Sequence, residues 1–204
     1  MKRMRIVTIA GLAAIVGMTA LQAGKVGEPA PAFASKDTKG IEHKLGDFKG
    51  KWVVLEWHNN GCPYVKKQYD SGNMQKLQKE WTARGVVWLT VISSAPGKQG
   101  YVTASEADAY VKDKGAAPTA VLLDPAGTMG MAYEAKTTPH MYVIDPSGKL
   151  VYNGAIDDKP TTDLNDVPGA RNYLSQALTE AMAGKSVSMP TTKPYGCSVK
   201  YPTS

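Results

Sequence analysis

Two cysteines, Cys62 and Cys197, have the greatest capacity for covalent chemistry in this 204-residue sequence. A thiol can be oxidised to a structural disulfide, or it can act as a nucleophile once it has become a thiolate. Cys62 lies between an apolar, β-forming run at 51–57 and a helical pattern. We therefore expect it to sit where a buried strand passes through a polar turn into a helix.

The residues that follow Cys62 favour a reactive thiol at this position. Pro63 suits the first turn of a helix, and Lys66 and Lys67 add positive charge one turn later. Backbone N–H groups at a helix start, the helix dipole and nearby cations all lower the pKa of a thiol. The sequence thus predicts that Cys62 is the nucleophile.

Cys197 is the natural partner of Cys62. It lies 13 residues after Gly184, where the last predicted helix ends. A tail of that length reaches about 43 Å at roughly 3.3 Å per residue, far enough to return to Cys62. Three uses of the pair stay open at this point: a permanent disulfide, a redox couple in which Cys197 resolves a mixed disulfide, and pairing between two molecules.

The remaining pattern predicts strands that alternate with helices. The periodicity indicates a helix from 62 to 84 that Ser71, Gly72 and Asn73 interrupt, and the sequence Thr103 to Glu106 offers a capping box for the next helix. Further elements are strands at 86–92 and 119–123, a hairpin over 141–152, and a helix at 170–183. Such alternation indicates an α/β fold with a mixed sheet.

The beginning of the chain has the pattern of a secretory signal peptide. Three basic residues lie within the first five, an apolar run covers 6–21, and Ala23 precedes a cleavage point. The alternative is an uncleaved anchor helix, but the run is shorter than the roughly 20 residues that span a bilayer. We expect cleavage after residue 23 and a protein in the periplasm or outside the cell, with no membrane contact afterwards.

Charge and length limit the function of the mature protein. The full chain carries 24 basic and 18 acidic residues, a net charge of +6, and three of the basic residues belong to the signal segment. The mature chain has no basic cluster interleaved with aromatic residues, so nucleic-acid binding is not expected. We expect one domain at 24–184 and a Pro/Thr/Ser-rich tail at 185–204 that carries Cys197.

Three segments carry a resemblance to a known family. They read VVLEWHNNGCPYV at 53–65, TPHMYVID at 138–145 and YGCSVKY at 195–201. In this order and spacing they resemble the thioredoxin-like superfamily, and within it the redoxin branch described as AhpC/TSA-like or peroxiredoxin-like. The resemblance implies a thioredoxin-like fold, with a central mixed β-sheet flanked by helices.

The resemblance assigns roles to several positions. Cys62 matches the nucleophilic cysteine of the superfamily, and Thr138 with a cis Pro139 would hold the backbone of a substrate beside it. Val65 occupies the place of the second cysteine of a C-x-x-C pair, so a self-contained dithiol is absent. Asn59 stands where peroxiredoxins have the Thr or Ser that helps to polarise a peroxide.

Buried ionisable residues could assist the thiol. Glu56 interrupts an apolar strand six residues before Cys62, the spacing at which thioredoxins keep a buried acid. A poorly hydrated carboxyl can exchange protons with a thiol, although Glu56 could also face solvent or pair with a lysine. Convergence of His58 and His140 on Cys62 would be the one route to a soft metal site. We predict neither a metal nor another cofactor.

The sequence therefore predicts an exported thiol–disulfide oxidoreductase with Cys62, Cys197 and Glu56 as its reactive residues. Its partners would be a protein or small-molecule disulfide and a periplasmic reductant. The first alternative is a thiol peroxidase that uses the same cysteines and passes through a sulfenic acid. The second is a non-catalytic binding or metal-carrying domain in which the two cysteines form a structural disulfide.

Overall fold

The computed structural model describes residues 24–202. The predicted signal peptide at 1–23 lies outside this range. Among the helices of residues 24–202, none combines the length and the apolar character that crossing a membrane requires.

A seven-stranded sheet forms the centre of the molecule, in the order β2-β1-β5-β4-β3-β7-β8. The pairs β3·β4 and β4·β5 are parallel and the other neighbours are antiparallel, so the sheet is mixed. A separate two-stranded sheet pairs β6 with β9. The strands are β1 Ala34–Asp37, β2 Glu42–Lys44, β3 Val53–Trp57, β4 Val87–Ile92, β5 Ala120–Leu123, β6 Thr137–Thr138, β7 His140–Ile144, β8 Leu150–Gly154 and β9 Cys197–Ser198.

Five α-helices accompany the sheet. They are α1 Pro63–Asp70, α2 Asn73–Ala83, α3 Ala104–Lys114, α4 Thr128–Ala132 and α5 Tyr173–Met182. The predicted interruption between α1 and α2 is confirmed, since Gly72 has a positive φ of 75° that a helix interior does not allow. The predicted capping box of α3 is also confirmed, with Thr103 and Glu106 bonding reciprocally to each other's backbone N–H.

The core lies on both faces of β3 and β4, whose side chains are all buried. On one face, Cys62 packs in a cluster with Trp81, Trp88 and Leu174, which α2, β4 and α5 supply. On the other face, Trp57 packs with Tyr133 and Tyr142. Burial of this many large apolar side chains fixes the end of β3, and with it the turn that leads to Cys62.

The tail lies against the domain instead of extending away from it. Asn153 of β8 donates its backbone N–H to Pro190 at 3.1 Å and accepts one from Thr192 at 3.2 Å. Further along, β9 pairs with β6, and the carbonyl of Lys200 accepts the N–H of Ala95 at 2.8 Å. Backbone contacts on both sides of Cys197 therefore determine where its thiol lies.

Candidate active site

Cys62 is the N-cap residue of α1 and leads directly into Pro63 at the first helical position. Its backbone is extended, with φ −77° and ψ 124°, and its carbonyl accepts the N–H of Lys66 at 2.9 Å. The N-cap position places the residue at the positive end of the helix dipole. The predicted location at a strand-to-helix junction is confirmed, and the side chain is 0% exposed.

The turn before Cys62 is closed by Asn59. The side-chain oxygen of Asn59 accepts the N–H of Gly61 at 2.9 Å, and its amide donates to Gln99 Oε1 at 2.8 Å. The backbone carbonyl of Asn59 accepts the N–H of Cys62 at 3.0 Å. This side chain thus shapes the turn that presents the thiol.

Thr138 and Pro139 lie beside Cys62, as the resemblance implies. The peptide bond between them is cis. The Cys62 thiol donates to the carbonyl oxygen of Thr138 at 3.1 Å, although the two residues are 76 positions apart in the sequence. The strand–turn–helix segment and the Thr-Pro element therefore meet at the sulfur atom.

The tail brings Cys197 to the same place. β9 pairs antiparallel with β6, with Cys197 opposite Thr138 and Ser198 opposite Thr137. The Thr138 hydroxyl also donates to the Cys197 carbonyl at 3.4 Å. Gly196 makes the approach possible, because a Cβ at this position would lie 2.0 Å from the Thr138 carbonyl oxygen.

Both cysteines are free thiols, and each lies near enough to the other to shift its pKa. Burial alone raises the pKa of Cys62. Interactions with the side chains of Cys197 and Thr138 and with the backbone of Val65 and Cys197 outweigh that effect and lower the pKa of Cys62 below its ordinary 9.0. Burial and the contact with Cys62 raise the pKa of Cys197 to about 11. The pair therefore holds its first negative charge on Cys62 and keeps its proton on Cys197.

Lys67 contributes to the site through the tail. The lysine is buried, and its ammonium group donates to the Lys159 carbonyl at 2.6 Å and lies 5.5 Å from the centroid of the Tyr195 ring. The Tyr195 hydroxyl donates to the buried carboxylate of Asp157, and its ring meets Tyr64 edge-on at 5.8 Å between centroids. Lys67, Asp157 and Tyr64 thus hold Tyr195 two positions before Cys197.

Glu56 occupies a separate buried network. Its carboxylate is 0% exposed and accepts hydrogen bonds from five side chains. The donors are Tyr69 at 2.7 Å, Trp88 at 2.8 Å, Gln78 and Thr90 at 3.1 Å each, and His58 at 3.4 Å. None of these bonds joins Glu56 to Cys62 or Cys197. A proton that passes between the carboxylate and either thiol must therefore travel through an intervening group.

The fold and the site can now be compared with known proteins. The sequence profile of the AhpC/TSA family matches residues 26–153, which include Cys62, Thr138 and Pro139. The chain belongs to the AhpC/TSA family. The match ends before the tail, so the residues that bring Cys197 to the site lie beyond the part that defines the family.

Curated relatives of this AhpC/TSA protein include two from Bacillus subtilis. The thiol-disulfide oxidoreductase ResA is 28% identical over 125 residues, which are 61% of this chain and 64% of ResA. The thioredoxin-like protein YneN is 30% identical over 124 residues, covering 61% of this chain and 68% of YneN. The chain thus spans slightly less than two thirds of the length of ResA.

A solved structure of a hypothetical protein from Sinorhizobium meliloti is similar over nearly the whole molecule. It has a TM-score of 0.75 at 22% identity and covers 90% of this chain and 98% of its own. At this identity the likeness concerns the fold alone. The fold of this AhpC/TSA protein is thioredoxin-like, as the resemblance implied.

The two histidines near the site do not converge on Cys62. His58 points to Glu56 and packs edge-on against Tyr69. His140 is buried and its Nε2 pairs with Asn153 Oδ1 at 2.8 Å. Within residues 24–202, no group of three or more His, Cys, Asp or Glu residues is placed to hold a metal ion. The soft metal site considered from the sequence is therefore not formed.

Several residues of the site were not identified from the sequence. Tyr195 and Gly196 appear in the sequence only as part of the tail motif, and nothing in the sequence singles out Asp157. A glycine directly before a tail cysteine was the available signal for a close backbone approach. Four of the five partners of Glu56 have no signal in the sequence, because they come from β4, α1 and α2 and meet only in the folded protein.

Proposed function

We propose that this protein is an exported thiol–disulfide oxidoreductase in which Cys62 attacks the substrate and Cys197 resolves the mixed disulfide. The observation that carries the proposal is the convergence of two free cysteines on Thr138, whose carbonyl accepts from the Cys62 thiol and whose backbone lies opposite Cys197 in the strand pair. The opposite pKa shifts of the two thiols support it. Sequence similarity to relatives named as thiol-disulfide oxidoreductases supports the same reaction class.

The reaction balances as two thiol–disulfide exchanges. The Cys62 thiolate attacks one sulfur of a substrate disulfide, forms a mixed disulfide and releases the other substrate sulfur as a thiolate. Cys197 then loses its proton and attacks the Cys62 sulfur, which releases the second substrate thiolate. Two electrons pass to the substrate, and a Cys62–Cys197 disulfide remains.

A thiol reductant in the periplasm would restore the protein. The exposures of the two sulfurs favour attack on Cys197, because Cys62 is fully buried and Cys197 is only partly buried. The pKa values favour the same direction, since the sulfur with the lower pKa is the better leaving group. Cys62 would then leave as the thiolate that begins the next cycle.

Thr138, Pro139 and Glu56 have proposed supporting roles. Thr138 contacts both cysteines, which suits a residue that holds a substrate backbone beside Cys62. Glu56 would accept the proton of Cys197 during the second exchange, by way of one of its hydrogen-bond partners or a water molecule. A Glu56→Gln variant should then slow the release of substrate thiol more than the formation of the mixed disulfide.

Export is proposed from the sequence pattern at the start of the chain. Basic residues, a short apolar run and a small residue before the cleavage point are typical of a secretory signal. Mass measurement of the protein recovered from a periplasmic extract should give a chain that begins at Gly24. A mass that corresponds to the uncleaved chain would contradict this proposal.

The test compares disulfide reduction with peroxide consumption. With a dithiol as the electron source, the wild-type protein should reduce insulin disulfides, Cys62→Ser should be inactive, and Cys197→Ser should accumulate a mixed disulfide. The alternative thiol peroxidase would consume hydrogen peroxide through Cys62 and leave insulin unreduced. That result would overturn the proposal in favour of the peroxidase.

A further inference from the structure

The tail binds the domain as an additional β-strand. Cys197 and Ser198 pair with Thr138 and Thr137, and the next residue, Val199, donates its N–H to the Lys136 carbonyl at 3.1 Å. Backbone groups of three consecutive residues before Pro139 are thus engaged by an extended segment. Such strand addition recognises a main chain and leaves specificity to the side chains on either side.

A side-chain pocket accompanies this backbone edge. Tyr195 inserts between Tyr64 on one side and Lys67 and Asp157 on the other, and its hydroxyl bonds to the Asp157 carboxylate. Lys67 and Asp157 are each 1% exposed. A buried cation, a buried carboxylate and an aromatic edge together form a site for an aromatic side chain with a polar tip.

The residue between the pocket and the cysteine must be small. Gly196 passes over the Thr138 carbonyl oxygen with φ at 131°, and a Cβ there would meet that oxygen at 2.0 Å. Only glycine adopts this backbone and accepts this approach. The tail therefore shows the sequence that this surface accepts: an aromatic residue, glycine, then cysteine.

The tail also blocks access to the nucleophile. Cys62 is 0% exposed while the tail is in place, so a protein disulfide cannot reach its sulfur atom. The strand that covers it contains only two residues, Cys197 and Ser198. A strand of this length depends on its flanking contacts and is readily displaced by another extended segment.

We propose that the tail takes the place of the substrate, and that the surface beneath it binds an extended polypeptide with an aromatic residue and glycine directly before its cysteine. This inference rests on the proposed function of Cys62. The surface consists of the edge of β6, the Cys62 thiol and the Tyr195 pocket. A small disulfide built from single amino acids could use neither the backbone edge nor the pocket, so a polypeptide is the substrate class that fits.

The test uses the mature chain with Gly196→Ala to displace the tail and Cys197→Ser to leave Cys62 as its single thiol. The probe is a blocked heptapeptide with the sequence of residues 193–199, Lys-Pro-Tyr-Gly-Cys-Ser-Val, whose cysteine forms a mixed disulfide with thionitrobenzoate. Attack by Cys62 on the peptide sulfur forms a protein–peptide disulfide and releases thionitrobenzoate, which is followed by its absorbance. Control peptides replace the tyrosine or the glycine by alanine.

We expect the Tyr-Gly-Cys peptide to react about tenfold faster than either control peptide, which corresponds to about 1.4 kcal/mol of selective binding. In Cys197→Ser with an intact Gly196, the docked tail should compete and slow the reaction of all three peptides. Tyr195→Ala with Cys197→Ser displaces the tail through a different contact and should reproduce the preference.

A small disulfide, dithiobis-nitrobenzoate, distinguishes failure of the substrate inference from failure of the proposed function. If it reacts rapidly with Cys62 in both tail-displaced variants while the three peptides react at equal rates, the substrate inference is overturned and the proposed function stands. If Cys62 is inert toward this reagent and toward every peptide in both variants, the proposed function is overturned as well.

Discussion

Glu56 and Cys62 are both completely buried, but different parts of the chain bury them. Glu56 lies on a central strand and is enclosed by side chains from β4, α1 and α2. Cys62 lies six residues later, in a core cluster against which Cys197 of the C-terminal tail also packs. The two sites are close in sequence, yet one is enclosed by the core of the fold alone and the other by the core together with a segment outside it.

The difference indicates how a protein can keep a reactive group ready for use. Glu56 cannot be exposed without opening the core, which requires unfolding on the scale of the whole domain. Cys62 can be exposed by releasing a short strand and the contacts of Tyr195 and Tyr201. The tail also supplies hydrogen bonds that lower the pKa of Cys62, so covering the thiol and activating it are done by the same segment.

The largest effect is expected at Glu56. Glu56→Ala leaves the five donors around the carboxylate without their acceptor. Breaking a buried, hydrogen-bonded charge in this way costs about 3–5 kcal/mol. Urea denaturation at pH 7 measures the loss in the free energy of unfolding.

Glu80 on α2 provides the matched control. Its carboxylate is partly exposed and pairs with Arg84 at 3.7 Å on the same helix. Such surface pairs contribute little, so Glu80→Ala should change the free energy of unfolding by less than about 0.5 kcal/mol. Equal losses for the two variants would show that the buried network around Glu56 contributes no more to stability than an exposed ion pair.

A pH effect of similar size is expected from His140. Burial and the nearby Lys136 lower the pKa of His140 from 6.5 to about 4, against the opposing hydrogen bond with Asn153. The unfolded chain binds a proton at His140 near pH 6.5, whereas the folded protein does so only near pH 4. Stability is therefore lost as the pH falls through this interval, by roughly 3 kcal/mol.

His140→Gln tests the origin of this loss. Denaturation curves at several values between pH 7 and pH 4 should show a flatter dependence in the variant than in the wild type. Carboxylates that titrate in the same range contribute equally to both proteins, so the difference between the curves isolates the imidazole. Parallel curves would show that the pKa of His140 is the same in the folded and unfolded states.

A smaller effect is expected where the tail is fastened beyond Cys197. The Tyr201 hydroxyl donates to the Ala135 carbonyl at 2.7 Å, and Tyr201→Phe removes this bond while keeping the ring. Loss of about 1 kcal/mol at this anchor should make tail opening roughly fivefold more frequent. The rate of Cys62 alkylation should rise by the same factor, as measured by mass spectrometry under native conditions.

Tyr101→Phe is the control for this experiment, because Tyr101 is 41% exposed. Its rate of Cys62 alkylation should equal that of the wild type. An unchanged rate in Tyr201→Phe would mean that the anchor of the tail lies elsewhere.

The smallest effect is expected on the titration of Cys62 itself. Cys197→Ala removes the hydrogen bond that contributes most to lowering the pKa of Cys62, while the burial that raises this pKa remains. The midpoint of Cys62 alkylation against pH should therefore move upward, and alkylation at neutral pH should become slower wherever access is unchanged. A midpoint that stays in place would assign the lowering to Thr138 and the surrounding backbone instead of the Cys197 side chain.

Much of the fold could be predicted from the sequence. The apolar runs of β3, β4 and β5, the break at Gly72 and the capping box at Thr103 each have a strong local signal. The short strands β1 and β2 and the helix α4 were not predicted, because few of their residues show a clear period. The conformation of such short elements is determined mainly by the parts of the fold that lie next to them.

The candidate site was only partly predictable. Cys62 could be recognised from its strand-to-helix position, and Cys197 from being the one other cysteine. The tail has the composition of a linker, and only its reach could be predicted from its length. That it adds a strand to β6 depends on backbone groups, and every residue except proline offers the same ones. The network around Glu56 depends equally on contacts between elements distant in sequence.

The central claim is that Cys62 and Cys197 form a working redox couple. The most direct test equilibrates the mature protein in glutathione buffers from reducing to oxidising, traps the free thiols with an alkylating agent and reads the masses. The account predicts one reversible transition between the doubly alkylated protein and a Cys62–Cys197 disulfide, with Cys62 the faster thiol to be alkylated. A bond that opens only after denaturation, or two thiols that stay alkylatable in every buffer, would contradict it.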